Sequence, residues 1–564
     1  MGHENAIARG RTSGLGRCYV LFQEDGRIAL RRLDDGKWDA FAWDERHDET
    51  LKWVAVGEDE DKLFFARIGD EQVGENIRMA TLLEVDQLAA SGDLTESLTE
   101  RLAMIRANAI RVPYLYASES EYIYRFRTEG QRNSGIYHID EDSANLYQSS
   151  LCVAIKALKR SKERSATSPA MLDFGAVKYV LPSHFGFCLG VRNAIERAYE
   201  TIAENPGKRV FMLSELIHNP FVNEDLSKRG LKYLQSDKGI ALDDPKTGLP
   251  YWDSLTSDDI VIIPAFGARD EDKLKLIERG IALNPYDATC MLVEKVWKAA
   301  KRYGKKGYTI VIHGKAEHEE TKATFSNSAR YAPSVVVRNL EEAKVLEKIM
   351  LVSDSDEKRR LFEPFADRAT VGFDPVEHLE KLAFVNQTTL LRNETIKIID
   401  FLSNTVKKRY GSGEVEQHVE LSSKGDTLCY ATQVNQDALA KALDADVDVA
   451  LVVGGKNSSN TFQLYRLCAD RFGENAHYIQ SEANIESANQ IQHFVFPYIP
   501  SGPKTGALVT RDFLPDRKPL TVLLTGGASC PDGILQQIIN RINGFFPSDH
   551  IRSVEEVLKD LETS

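Results

Sequence analysis

An alternation of strands and helices constrains this chain more than any other feature. From residue 177 onward, short apolar runs alternate with amphipathic helical stretches, and three times a cysteine stands where a helix begins. Val177–Leu181 precedes a helical pattern over Val191–Ala198, with Cys188 in the turn between them. Ile260–Ile263 and Thr309–Ile312 read as buried strands, and Cys290 enters a helical stretch from Met291. Cys429 comes just before the helical Asn435–Ala442, and Val447–Val453 and Leu520–Leu524 repeat the strand pattern. Strands that alternate with helices build parallel sheets covered on both faces. In such sheets ligands gather at the carboxyl ends of the strands. The expected fold is therefore α/β. Three similar units, 175–289, 290–425 and 426–545, would each offer one thiol to a common point. A charged stretch from Leu351 to Asp374 reads as an insertion in the second unit, and 546–564 as a C-terminal tail.

The upstream region has a different texture. Lys159–Pro169 is charged, rich in Ser and closed by Pro, which marks a linker over 161–174. Before it, Cys18–Phe22 and Leu63–Ile68 read as strands and Leu94–Asn108 as a helix. Residues 1–160 are expected to form an N-terminal mixed α/β accessory domain, with the chemistry confined to 171–564. Lys and Arg number 71 against 84 Asp and Glu, a net charge of −13. That balance argues against a nucleic-acid partner, which needs a basic face to displace counterions. A local basic pocket for a small anion remains compatible with it. No apolar run reaches the length of a membrane span, so no membrane partner is expected. Met1–Arg17 lacks the apolar core of a secretory signal. The seven cysteines, odd in number and scattered, do not read as a disulfide framework. A reducing compartment follows: the cytoplasm, or the plastid stroma if the source is a plant or alga.

Three helix starts with cysteines carry chemical meaning. The free N–H groups and dipole of a helix N-terminus stabilise a thiolate. Three converging thiolates suit a soft metal centre, whereas any one alone reads as an ordinary core residue. Zinc competes, but the C-x-x-C pairs of a zinc knuckle are absent. Four thiolates complete an iron–sulfur cluster; three leave one iron open, the mark of a catalytic cluster. Two turns after strands resemble anion cradles. Val452–Asn460 offers Ser458, Ser459 and Asn460, and Thr525–Gly533 offers Ser529. Each alone equally reads as a turn with a helix cap. His218 lies in Glu215–Pro220. His318 is followed two residues later by Glu320, a pattern that suits an anion contact beside a proton donor. Thr388 opens another apparent helix, either as its cap or as a hydroxyl that orients substrate.

Together these residues resemble a known family. Gly186-Phe187-Cys188-x-Gly190-Val191, Ile217-His218-Asn219, Asp287-Ala288-Thr289-Cys290, His318-x-Glu320 and Gln387-Thr388-Thr389 appear in family order. Cys429-Tyr430-Ala431-Thr432, Lys456–Asn460 and Gly527-Ala528-Ser529 complete the series. They are similar to the 4-hydroxy-3-methylbut-2-enyl diphosphate reductase family, over roughly residues 175–545. Pro264–Gly267 and His318–Thr321 resemble its plant and cyanobacterial branch. The resemblance implies three α/β domains around one central [4Fe–4S] cluster, held by Cys188, Cys290 and Cys429. It implies a small allylic diphosphate bound by His218, His318, Ser458, Ser459, Asn460 and Ser529. Glu320 would deliver protons and Thr388 would hold the network around the substrate hydroxyl. An electron donor such as ferredoxin or flavodoxin would supply two electrons. Isopentenyl and dimethylallyl diphosphate would result, as the last step of the non-mevalonate pathway.

Three positions depart from the family pattern. Phe266 stands where many members have a His on the diphosphate, and Met291 where Pro is frequent. Cys530 follows Ser529, a neighbourhood that makes it a competing fourth ligand. Lys315 and Arg269 are the candidates to replace the missing His contact, with Lys315 favoured for its long stem. Two other classes compete: a relative whose cluster chemistry is redirected to hydration, and a cluster-bearing sensor that does not turn over. Glu320 argues against the sensor, because binding alone needs no positioned acid.

Overall fold

The computed structural model describes residues 18–40, 53–56, 63–69, 77–114, 133–159, 166–420, 427–495 and 507–563. The chain divides into two compact units. One comprises 1–125, 243–262 and 270–287; the other comprises 126–242, 263–269 and 288–564.

In the first unit, the apolar runs Cys18–Phe22 and Leu63–Arg67 pair in parallel. Ile28–Arg32, Trp38–Ala40, Val54–Val56 and Ile77–Ala80 join antiparallel. Two helices follow, Leu82–Ser91 and Glu96–Ala109. Thr81 caps the first: its side chain accepts from Glu84 N while the Glu84 carboxylate accepts from Thr81 N. The later segments are part of this unit. Leu83 N donates to Glu278 O, and the Tyr114 hydroxyl donates to Asp287 at 2.7 Å.

The second unit is built on parallel sheets. Its largest runs in the order Ala476–Ile479, Val449–Val453, Leu520–Gly526, Val177–Leu181, Ala170–Asp173. All neighbours are parallel except the last pair. The central strands Val449–Val453 and Leu520–Gly526 are Val- and Leu-rich and almost wholly buried, as sheets covered on both faces require. A second sheet, Ser334–Val337, Thr309–His313, Leu382–Asn386, is wholly parallel. Val210–Met212 pairs in parallel with Lys232–Tyr233. Gln490–Val495 and Ala507–Asp512 form an antiparallel ribbon.

The linear boundaries read from sequence differ from this arrangement at several places. Val177–Leu181 lies beside Leu520–Gly526, so the strand before Cys188 shares a sheet with the C-terminal strands. Ala170–Asp173, inside the expected linker, is that sheet's edge strand; residues 160–165 fall outside the described residues. The helices Glu141–Tyr147 and Ser150–Lys159 belong to the second unit, and Leu151, Cys152 and Ile155 are fully buried in its core. The physical reason is the apolar face that Leu151, Cys152 and Ile155 present along one side of their helix. The expected tail ends in the helix Val554–Thr563, whose Val557 and Leu561 enter the same core. The charged stretch 351–374 carries the helix Ser355–Phe362, and Phe362 and Phe365 are buried against Leu346, Leu379 and Leu402. Among the described residues no helix is long and apolar enough to cross a membrane.

Candidate active site

Each cysteine singled out above caps a helix in the second unit. Cys188 caps Leu189–Glu204, Cys290 caps Met291–Gly304 and Cys429 caps Tyr430–Ala442. The Cys188 Sγ accepts from Val191 N at 3.5 Å. The three thiols line one cavity of about 670 Å³, measured to its open mouth. Burial pushes all three thiols upward, Cys429 to about 11. Cys290 is raised further because Cys188 and Cys429 stand close to it. Backbone N–H groups of the helix starts pull the other way. Thiolates here therefore need a cationic partner, and loading the site with metal would release protons.

Gly190 shows how tightly the first and second helix starts meet. A Cβ at that position would lie 2.5 Å from Cys290 Sγ and 3.9 Å from Cys188 Sγ. The motif around Cys188 contains Gly190 but by itself assigns it no role. The available signal was a glycine in the first turn of a helix, where it costs helix propensity and so marks a close approach.

The same cavity wall carries His218, His318, Glu320, Thr388, Ser458, Ser459, Asn460 and Ser529. Ser458 caps the helix Ser459–Phe472. Its Oγ accepts from Thr461 N at 3.2 Å and from the Thr461 hydroxyl at 2.8 Å, so its own proton is left to donate outward. Asn460 Oδ1 accepts from Ala528 N at 2.8 Å, which ties the two anion-cradle turns together and turns Nδ2 away. Among the described residues, His218 Nε2, Ser459 Oγ and Asn460 Nδ2 are buried without a hydrogen-bond partner. Buried polar groups rarely stay unsatisfied, so the Ser459 Oγ and Asn460 Nδ2 donors call for an acceptor-rich anion; His218 Nδ1 faces the Glu215 carboxylate at 3.4 Å, so its Nε2 joins them as a donor only with the ring protonated at both nitrogens. Gly455 lets that wall close: a Cβ there would overlap the His218 carbonyl.

His318 caps the helix Glu319–Ala329, and its Nδ1 accepts from Glu320 N at 3.2 Å. An accepting Nδ1 leaves the proton of the neutral ring on Nε2. Glu320 is 1% exposed, and burial raises its pKa to about 7. Its Oε1 accepts from Thr388 N at 2.6 Å. Thr388 is not a helix cap: the helix that follows, Arg392–Tyr410, begins after Leu391. The turn bearing Thr388 is held by Gln387, whose Oε1 accepts from Lys315 N and the Thr321 hydroxyl and whose Nε2 donates to Thr389. Asn386 Oδ1 accepts from the Thr427 hydroxyl at 2.5 Å, so the end of this strand also holds the approach to Cys429. Sequence reading did not assign Gln387, Asn386 or Thr427 these ties, because partners 41 to 72 residues apart leave no local pattern.

Phe266 completes the wall, stacked on His218 with ring centroids 4.4 Å apart and set edge-on to His318 at 5.8 Å. Lys315 does not line the cavity. Its Nζ lies 5.3 Å from the centre of the Phe462 ring, and burial lowers its pKa to about 8. Cys530 is fully buried outside the cavity wall, with its Sγ donating to Pro531 O.

The profile of the LytB protein family matches residues 180–543. A curated relative from Synechococcus sp. (strain CC9311), named 4-hydroxy-3-methylbut-2-enyl diphosphate reductase, is 35% identical over 72% of this chain and 94% of its own length. One of the same name from Trichormus variabilis (strain ATCC 29413 / PCC 7937) is 34% identical over 74% of this chain and 94% of its own. A solved structure described as (E)-4-hydroxy-3-methyl-but-2-enyl diphosphate reductase, the terminal enzyme of the non-mevalonate pathway, is 22% identical. It covers 65% of this chain and 99% of its own, with a TM-score of 0.36.

Proposed function

The chain belongs to the LytB protein family, and from that premise we propose how its cavity works. The protein is a reductase acting on 4-hydroxy-3-methylbut-2-enyl diphosphate, as its curated relatives are named. One substrate, two electrons and two protons give water and either isopentenyl or dimethylallyl diphosphate, the terminal step of the non-mevalonate pathway.

Cys188, Cys290 and Cys429 fit one [4Fe–4S] cluster held by three thiolates. They start three different helices around one cavity, and Gly190 permits the close approach of two of them. When bound, the cluster supplies the electrons and one iron free of cysteine. The protein supplies position and protons.

The diphosphate is held at the wall of unsatisfied donors. Ser459 Oγ and Asn460 Nδ2 donate to its oxygens, joined by Ser458, Ser529, His318 Nε2–H and, with its ring protonated at both nitrogens, His218 Nε2. Glu320, with a pKa of about 7, is partly protonated at neutral pH and carries the proton that leaves with the hydroxyl as water. The Thr388 N–H fixes one carboxyl oxygen of this cavity-lining side chain. Thr388 Oγ1 orients the substrate hydroxyl. A one-electron donor of the ferredoxin or flavodoxin type completes the cycle. None of the seven cysteines is paired in a disulfide, which suits the reducing cytoplasm or stroma.

The observation that carries this reading is the meeting of three helix-capping thiols and three unsatisfied polar atoms, His218 Nε2, Ser459 Oγ and Asn460 Nδ2, on one cavity. Anaerobic purification should give a brown protein with an iron–sulfur absorption and EPR spectrum. With reduced viologen it should turn over the allylic diphosphate. A colourless, iron-free protein that stays inert after cluster reconstitution would overturn it.

A further inference from the structure

A buried ion pair stands directly behind the anion wall, and one of its partners lies outside the region matched by the family profile. Lys156, on the helix Ser150–Lys159, is 8% exposed. Its Nζ lies 2.5 and 2.6 Å from the two carboxylate oxygens of Asp532. Asp532 begins the helix Asp532–Asn543, three residues after Ser529. Both charges are withdrawn from water, so the pair is held by its geometry and not by solvent.

The pair touches both strand-end turns that shape the cavity. A Cβ on Gly186, whose φ is +67°, would sit 2.8 Å from Asp532 Oδ1 and 3.4 Å from Lys156 Nζ. Gly186 N in turn donates to Gly526 O, and Cys188 N donates to Ala528 O. The turn carrying Cys188 and the turn carrying Ser529 are thus laced together and backed by one ion pair. Further ties fix the supporting helix to the same place. The Ser149 hydroxyl donates to Gln536 Oε1 at 2.9 Å, and Gln537 Nε2 donates to Asn145 O at 3.1 Å. A Cβ on Gly533 would overlap the carbonyls of Asn145 and Leu146, so the preceding helix Glu141–Tyr147 meets Asp532–Asn543 backbone to backbone.

We propose that Lys156 is a positioning residue of the diphosphate site. Through Asp532 and Gly186 it sets the turn that presents Ser529, so a segment upstream of the family-matched region completes the cavity from behind. This rests on the reading of that wall as the diphosphate site.

The test is calorimetric titration of the full-length protein with inorganic pyrophosphate, alongside thermal melting and viologen-linked kinetics. Wild type should bind pyrophosphate; if it does not, the diphosphate reading of the wall fails, independently of Lys156. Given wild-type binding, Lys156→Met should weaken it roughly tenfold, the scale on which a site feels the loss of an outer partner that orients it. The Michaelis constant of the allylic substrate should rise in parallel. Lys156→Arg should restore most of the affinity. If Lys156→Met does not fold, the double variant Lys156→Gln/Asp532→Asn, which leaves no buried charge unpaired, should fold and bind several-fold more weakly than wild type. Folded variants that melt lower but keep wild-type pyrophosphate affinity and Michaelis constant would make the pair a purely structural brace and overturn the proposal.

Discussion

Glu320 and the residues around it make the sharpest claims at the scale of single side chains. Burial raises its pKa to about 7, so its proton is present below that pH and lost above it. For a proton donor the sign follows directly: turnover should be highest on the acid side and fall as pH rises through about 7. Glu320→Gln should remove this limb, keep pyrophosphate binding, and lower kcat by roughly 10²–10⁴-fold, the usual contribution of a positioned acid. Near-normal kcat with the same pH limb would move the proton donor elsewhere. Gly190 carries a second prediction. A methyl group there meets Cys290 Sγ at 2.5 Å, well inside contact distance. Gly190→Ala should therefore fold but lose most of its bound iron, measured by iron analysis per folded protein. Phe266 stacks on His218 without donating a hydrogen bond, so at this wall the diphosphate depends on the hydroxyl, amide and imidazole donors that remain. Lys315, which sequence reading favoured as the compensating contact, is instead directed at Phe462.

Helix starts and the strand ends before them set the scale of elements. Three helices begin at cysteine, so each thiol sits among free backbone N–H groups and is placed by the path of its helix. Replacing Cys188, Cys290 or Cys429 by Ser should each abolish most of the cluster absorption. Cys468→Ser and Cys530→Ser should retain it, because both of those thiols are buried away from the cavity. Thr427 tests how an element is aimed. Its hydroxyl is a partner of Asn386 Oδ1, both side chains being buried. Thr427→Val would leave that carbonyl unsatisfied at a cost of about 1–3 kcal/mol. The melting temperature should drop, and the cluster signal should broaden as the turn before Cys429 loosens. An unchanged melting temperature and an unchanged EPR line shape would show that this tie aims nothing.

For the whole molecule, the question is how much chain the catalytic machinery needs. The expectation from sequence confined it to 171–564. The helix Ser150–Lys159 places Leu151, Cys152 and Ile155 in the core with Ile534, Leu535 and Ile538, each 0–1% exposed. Burying Leu or Ile side chains is worth about 1.5–3 kcal/mol apiece. Removing this helix therefore costs a sum comparable with the ~5–15 kcal/mol that stabilises a typical domain. In the first unit, residues 243–262 and 270–287 pack with the N-terminal strands and helices, so deleting 1–125 strips them of their partners. A chain starting at 171 should accumulate mainly as insoluble protein. The soluble fraction of the truncated chain, compared with full length, measures this. A monomeric 171–564 chain with wild-type melting behaviour and dye-linked activity would restore the accessory reading of the N-terminus.

Local patterning was enough to read several things from this sequence alone. The alternation of fully apolar strands with amphipathic helices marks parallel sheets, because burial on both faces leaves its signature residue by residue. The three cysteines could be placed at helix starts because each precedes a helical period, and Cys188 also follows a strand. The anion turns were legible as Gly-, Ser- and Asn-rich runs after strands. Tertiary structure alone decided the rest. It seated Val177–Leu181 against Leu520–Gly526, aimed Glu320 at Thr388, and drove Lys156 onto Asp532. Those contacts join residues 68 to 376 positions apart. They are selected by shape, burial and the pairing of buried charge across packed elements. None of these leaves a periodicity or spacing in the chain, so a lysine on an upstream helix looks like any solvated lysine until the fold buries it.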